Sequence, residues 1–189
     1  MKLASYVGTR NGFMGLANRL IRLRLSGLKE ALKTDKSLIQ AVLRSSHSEI
    51  VFEPGDGVDN FMPDGTCNPN EKGELWCASS TGFDIIPSSS IYRAGKCGGV
   101  RFKRINVNTH KWELTEAKVG AFFAAIWAVK NQGMLYDWQL VFSFLNWLVP
   151  QNKSRVMCSE ACAEMLGFID AHRYDPCTLQ SAVTRLLRD

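Results

Sequence analysis

The sequence predicts an α+β fold. Short runs of strand-forming residues, separated by turn chemistry, occupy the centre of the chain, with helical periodicity segregated towards its ends and dominating the C-terminal half. A chain of 189 residues with 46% hydrophobic and 22% charged positions matches one globular domain, residues 1–189, able to bury a full core. No internal repeat or low-complexity tract interrupts it.

Lys2 to Val7 reads as a strand, followed by a turn at Gly8-Thr9-Arg10-Asn11-Gly12. From Phe13 to Leu25 the apolar residues Phe13, Leu16, Ala17, Leu20 and Leu23 share one helical face, and Gly27 ends the run. Asp35 to Arg44 gives a second helix. His47 to Phe52 is a strand closed by Glu53-Pro54-Gly55-Asp56-Gly57. Residues 58–73 form a Pro-, Gly-, Asn- and Asp-rich loop, so that about 53–73 stands as an insertion. Glu74 to Ser79 and Gly99 to Val107 are further strands, with an irregular stretch around Ser88-Ser89-Ser90 and Gly95 between them. Thr115 is the expected N-cap of a helix over Glu116 to Asn131, with Val119, Phe122, Phe123, Ile126 and Val129 facing inward. Tyr136 to Leu148 is an apolar helix, and Met157 to Leu166 is another, stopped by Gly167. Asp175-Pro176 supplies the N-cap and first-turn proline of a last helix ending near Arg188.

The net charge is +5, from 23 Lys and Arg against 18 Asp and Glu. Arg10, Arg19, Arg22, Arg24, Lys29 and Lys33 carry much of the surplus, yet no aromatic residues interleave with them as base stacking requires. A solvated helical face is the expectation, and no nucleic acid partner. The most apolar stretch, Trp138 to Val149, is shorter than the roughly 20 residues that span a bilayer. No short apolar core with a small-residue cleavage site marks a signal peptide, so the expected setting is a cytoplasm or a virion. The six cysteines form neither a CxxC pair nor a Cys/His quartet; reduced thiols, no metal and no cofactor are expected.

Two residues carry potential chemistry. Cys158 begins a helix in Met157-Cys158-Ser159-Glu160-Ala161, where the free N–H groups and helix dipole stabilise a thiolate and offer donors to a tetrahedral oxyanion. Glu160 is a first-turn carboxylate with a structural role. His47 opens a strand that would fix its ring, whereas His110 and His172 fall in loops. Taken singly, a helix cysteine and a strand histidine are more often structural. Together they make a nucleophile and a base.

Ser46-His47-Ser48-Glu49-Ile50-Val51-Phe52, Gly99-Val100-Arg101-Phe102, Tyr136-Asp137-Trp138 and Cys158-Ser159-Glu160, in that order, resemble the circularly permuted NlpC-type papain-like cysteine hydrolases, with phage and bacterial members, and more distantly the lecithin:retinol acyltransferase-like proteins. The resemblance implies a permuted papain-like fold, a central antiparallel sheet packed by helices with the nucleophile at a helix start. It implies Cys158 as nucleophile, His47 as general base and then acid, and Tyr136 beside the substrate cleft; a satisfied core hydroxyl is the plainer role for Tyr136. On the strand after the His strand, where relatives carry a polar residue that orients the imidazole, this sequence has Cys77, with Ser79 two residues on. Glu49 shares the His47 face but reaches the ring only if the strand twists. The hairpin bearing the insertion would lie beside the cleft, making residues 53–73 either a lid or docking feature or a surface elaboration.

The function expected from these residues is hydrolysis of an amide in a peptide or peptidoglycan-type crosslink, or of an acyl ester, through an acyl-enzyme on Cys158. The alternative is a non-catalytic binding or structural module of a phage or mobile element on the same fold. It is motivated by the weak hydrogen-bond acceptor at Cys77 and by the bulky insertion.

Overall fold

The computed structural model describes residues 1–7, 45, 47–81, 99–117, 120–137 and 155–187. The helices expected over 13–25 and 35–44, the basic residues from Arg10 to Lys33, the stretch around 88–95, Cys97, and the apolar segment beyond residue 137 lie outside them.

Five strands form one antiparallel sheet: β1 (Lys2–Tyr6), β2 (Ser48–Val51), β3 (Leu75–Thr81), β4 (Gly99–Ile105) and β5 (Trp112–Glu116), in the order β4-β3-β2-β1-β5. The helices α1 (Ala121–Lys130), α2 (Cys158–Met165) and α3 (Pro176–Leu186) follow, with a two-residue parallel pair between α1 and α2, β6 (Leu135–Tyr136) and β7 (Arg155–Val156). The architecture is α+β. No described helix is long and apolar enough to cross a membrane.

Register fixes what each face buries. Leu3, Ile50 and Ala78 stand opposite one another across β1, β2 and β3, and the main core joins them to Ala121, Ala124, Ala125 and Ala128 of α1, Ala161, Cys162 and Met165 of α2, and Leu179 and Val183 of α3. The alternate residues Ala4, Val51, Cys77 and Ile105 form a smaller cluster with Val107. Because β2 is the middle strand, its side chains are shut in from both sides: Ile50, Val51 and Phe52 are buried, and so is Glu49.

Two expectations for the region 112–131 are corrected. Thr115 is not an N-cap; it is a strand residue paired with Leu3, and Gly120 precedes the helix. The alternation in Trp112-Glu113-Leu114-Thr115-Glu116 is the signal that marks the strand. The inward face of α1 is its alanines, while Phe122, Phe123 and Val129 are exposed at 58%, 51% and 44%. Small residues let the helix lie close to the sheet and α2, where phenylalanines would hold it off. Ile126 is half-buried and Val119 lies outside the described residues. At α3 the cap is as expected, the Asp175 carboxylate accepting from Cys177 N–H and Thr178 N–H at 2.8 and 2.9 Å.

The inserted loop leaves β2 after Phe52, the end away from His47, about 16 Å along the strand from it. Its buried anchors Val58, Met62 and Cys67 join the main core. The Asp59 carboxylate accepts the Cys67 N–H at 2.7 Å, and Asp64 accepts the Trp76 indole N–H at 2.7 Å and pairs with Arg104. These bonds tie it to the β3–β4 edge, so it is a packed elaboration there, and the expectation that its hairpin borders the cleft is corrected.

Gly99 starts β4 at φ 139°, in the glycine-favouring region, and a methyl group on it would run into the Met134 carbonyl. That close approach allows Val100 N–H to donate to Met134 at 2.9 Å and Gly133 N–H to donate to Val100 at 2.8 Å, which sets the path of the chain into Tyr136. Gly99→Ala is expected to lower the unfolding free energy by about 2 kcal/mol. Urea denaturation checks this, and a change within about 0.5 kcal/mol, the level of a neutral surface substitution, would contradict it.

Candidate active site

Three separate parts of the chain converge on the sulfur of Cys158. The residue opens α2 and is 3% exposed. The Glu160 carboxylate, in the first helical turn, accepts the Met157 N–H at 3.2 Å and closes the helix start, a structural role. The N–H of Ser159 and the N–H of Ser48, at the start of β2, both donate to the sulfur, and the His47 imidazole hydrogen-bonds it. Burial by itself pushes the thiol up, but the adjacent His47 charge, its hydrogen bond and the two backbone donors outweigh burial and hold it below its ordinary value.

His47 sits immediately before β2, and its carbonyl accepts the Tyr6 N–H at 2.8 Å, so the sheet ladder fixes its backbone. The segment is buttressed by Ser45, whose hydroxyl donates to the His47 carbonyl at 3.3 Å, and by Cys177 at the start of α3, whose thiol donates to the Ser45 carbonyl at 3.2 Å. The Trp112 ring lies 6.4 Å from the imidazole, centroid to centroid. Burial lowers the imidazole, yet Cys158 and Glu49 beside it reverse this and raise it to about 9.

The partner of the imidazole is Glu49. Its Oε1 lies 2.8 Å from His47 Nε2, and the carboxylate is fully buried. Lys103 of β4 forms an ion pair with the same oxygen, and the Cys77 thiol donates to Oε2 at 2.5 Å. Burial raises the Glu49 carboxyl, but Lys103, His47 and Cys77 more than compensate and bring it down to about 2.

The orienting residues expected from the sequence are therefore corrected. Cys77 contacts the carboxylate and not the ring. Ser79 donates to the Ser48 carbonyl at 2.7 Å and hydrogen-bonds Cys162, so it braces the strand and α2 instead. Glu49 takes the position because residues two apart on a strand share a face, and because a buried carboxylate there needs the cation next to it. The signal in the sequence is a single glutamate between Ser48 and Ile50 in a strand otherwise destined for the core.

Tyr136 is brought to the same sulfur. In β6 it pairs with Val156 of β7, two residues before Cys158, and its hydroxyl hydrogen-bonds Cys158. Burial, the neighbouring sulfur and Asp137 keep its phenol well above its ordinary value, so it stays a donor. His110 and His172 are exposed. The five cysteines among the described residues are free, and burial beside acidic groups pushes Cys67 up to about 11 and Cys77 well above its ordinary range. Among the described residues no three His, Cys, Asp or Glu side chains are grouped to hold a metal ion. No family model, curated protein or solved structure matches the chain.

The two shifts give a signed pH dependence of stability. The Glu49 carboxyl, depressed to about 2, contributes stability that is present above its unfolded value of 4.5 and is lost as the pH falls through about 2. The His47 imidazole, raised to about 9, contributes stability that is full below 6.5 and is lost as the pH rises through about 9. The Cys158 thiol, lowered beside His47, gives up a proton in the folded state where the imidazole takes one, so the two offset each other between 6.5 and about 9, and denaturant midpoints should hold level there and fall above about 9. A fall already well advanced between 6.5 and about 9 would mean that Cys158 stays protonated and would contradict the assignment.

Proposed function

We propose that this chain is a thiol hydrolase on a circularly permuted papain-like scaffold, cleaving an amide of a peptide or peptidoglycan-type crosslink, or an acyl ester. The observation that carries the reading is the contact of the Cys158 thiol, at a helix start, with an imidazole that is itself held by a carboxylate at 2.8 Å. The order along the chain supports the permuted scaffold: the His47 strand, its antiparallel partners, the Tyr136 segment and then the Cys158 helix.

In the proposed cycle the Cys158 thiolate adds to the carbonyl carbon and a C–S bond forms. The electron pair moves to the carbonyl oxygen, for which the Cys158 N–H and the Tyr136 hydroxyl are the donors at hand. With Nε2 held by Glu49, Nδ1 of His47 is the nitrogen left to face the sulfur, and it delivers its proton to the departing amine or alkoxide. The neutral imidazole then takes a proton from water, whose oxygen attacks the thioester and releases the acid, and the thiolate is restored with a protonated His47. Glu49 holds the ring in plane throughout. The binding-module alternative is motivated by the weak acceptor at Cys77 and by the inserted loop, and Glu49 at 2.8 Å from His47 Nε2 speaks against the first of these.

Alkylation by iodoacetamide near pH 6, read by mass spectrometry, tests the site without a known substrate. Cys158 should label fastest of the six cysteines, since a thiol with a value of about 11, such as Cys67, is almost entirely protonated there. His47→Ala should slow Cys158 by about tenfold or more. Slow, equal labelling at every cysteine would overturn the reading. On a hydrolysed substrate, Cys158→Ala should abolish turnover, and retained turnover would equally overturn it.

A further inference from the structure

We propose that Lys103 is a positioning residue of this site, the second cation that lets one imidazolium serve the Cys158 thiolate while the buried carboxylate beside it remains ionised. The inference deepens the thiol-hydrolase reading and rests on it.

Glu49 is fully buried, and a carboxylate taken from water must find a counter-charge or a proton. From the residues just before β2 it faces His47, from β4 Lys103, from β3 Cys77 and from α2 Cys162. Burial keeps Cys77 and Cys162 in their neutral forms, well above their ordinary values. Tyr136 reaches the sulfur from β6 with Asp137 beside it, and Arg101, also on β4, lies within electrostatic reach of Lys103. The active pairing needs two anions, Glu49 and the Cys158 thiolate, against His47.

A single imidazolium cannot neutralise both. Lys103 stands opposite Cys77 in the β3–β4 register, and its ammonium pairs with the same Glu49 oxygen that binds His47 Nε2. Without it the imidazolium is claimed by Glu49, and the cheapest way for the pocket to regain balance is a proton on Cys158. A lysine on the strand next but one to the His strand, acting through Glu49, thereby sets how acidic the nucleophile is.

The test is the pH profile of Cys158 alkylation in the full chain, in wild type and in Lys103→Met, Lys103→Arg, Glu49→Gln and the Glu49→Gln/Lys103→Met double variant. Lys103→Met should move the acid limb up by about one pH unit, a tenfold loss of rate on the acid side of the profile with recovery at alkaline pH. Lys103→Arg keeps the charge and should stay near the wild-type profile. The double variant removes one anion and one cation and should regain the acid limb. If Lys103→Met does not fold, the comparison within the Glu49→Gln background decides: Glu49→Gln alone, with an unbalanced cation, should have its acid limb below that of the double variant. Superposed profiles for wild type and Lys103→Met, or for Glu49→Gln and the double variant, would overturn this inference alone. A wild-type Cys158 no more reactive than the other cysteines would overturn both it and the thiol-hydrolase reading.

Discussion

A fully buried carboxylate on the middle strand of the sheet is the constraint from which the site follows. Glu49 cannot be left without partners, because an ionised carboxylate removed from water carries a penalty of several kcal/mol that only counter-charges and hydrogen bonds offset. Its partners are His47 just before its own strand, Cys77 on β3 and Lys103 on β4. Holding them in place requires the β2–β3–β4 register to be kept, and the register is in turn specified by the alternation of Ile50 and Val51 between two separate apolar clusters. The polar site and the core therefore specify each other.

The sheet supplies the imidazole and the helical layer supplies the thiol. α2 packs against β2 and β3 through Ala161, Cys162 and Met165, which brings its first residue to the end of β2 where His47 lies. Close packing by alanine on α1 and α2 permits this approach, and the short β6–β7 pair then delivers Tyr136 beside the helix start. The groups on the sulfur thus come from the start of α2 itself, from the residues that open β2 and from β6, so the arrangement depends on tertiary packing and would not persist in an isolated helix or hairpin.

Much of this is legible in the residues. The strands at Lys2, at Ser48 and at Gly99 have period-two patterns with turn residues at their ends, and Asp175-Pro176 and Gly167 bound helices through local chemistry alone. The pairing of His47 with Cys158 follows from a resemblance and from helix-terminus chemistry, and the two side chains do meet. The identity of the third group does not follow, because strand period places Glu49 on the right face but says nothing about Lys103, which makes its charge tolerable. The inward face of α1 escapes the sequence for a related reason. Hydrophobicity ranks Phe122 and Phe123 above alanine, while the distance allowed between helix and sheet, a tertiary quantity, selects the small residues. Strands of two residues such as β6 and β7 carry no periodic signal.

The central claim is that Cys158 is ionised at a pH where an ordinary thiol is not, and it can be read directly from the ultraviolet absorbance of the thiolate. The difference spectrum of the wild-type chain minus Cys158→Ser, titrated upward from acid, should show one thiolate that forms well below the ordinary thiol range and persists to alkaline pH. A thiolate signal that rises only near the ordinary thiol range, around pH 8.5, would contradict the account.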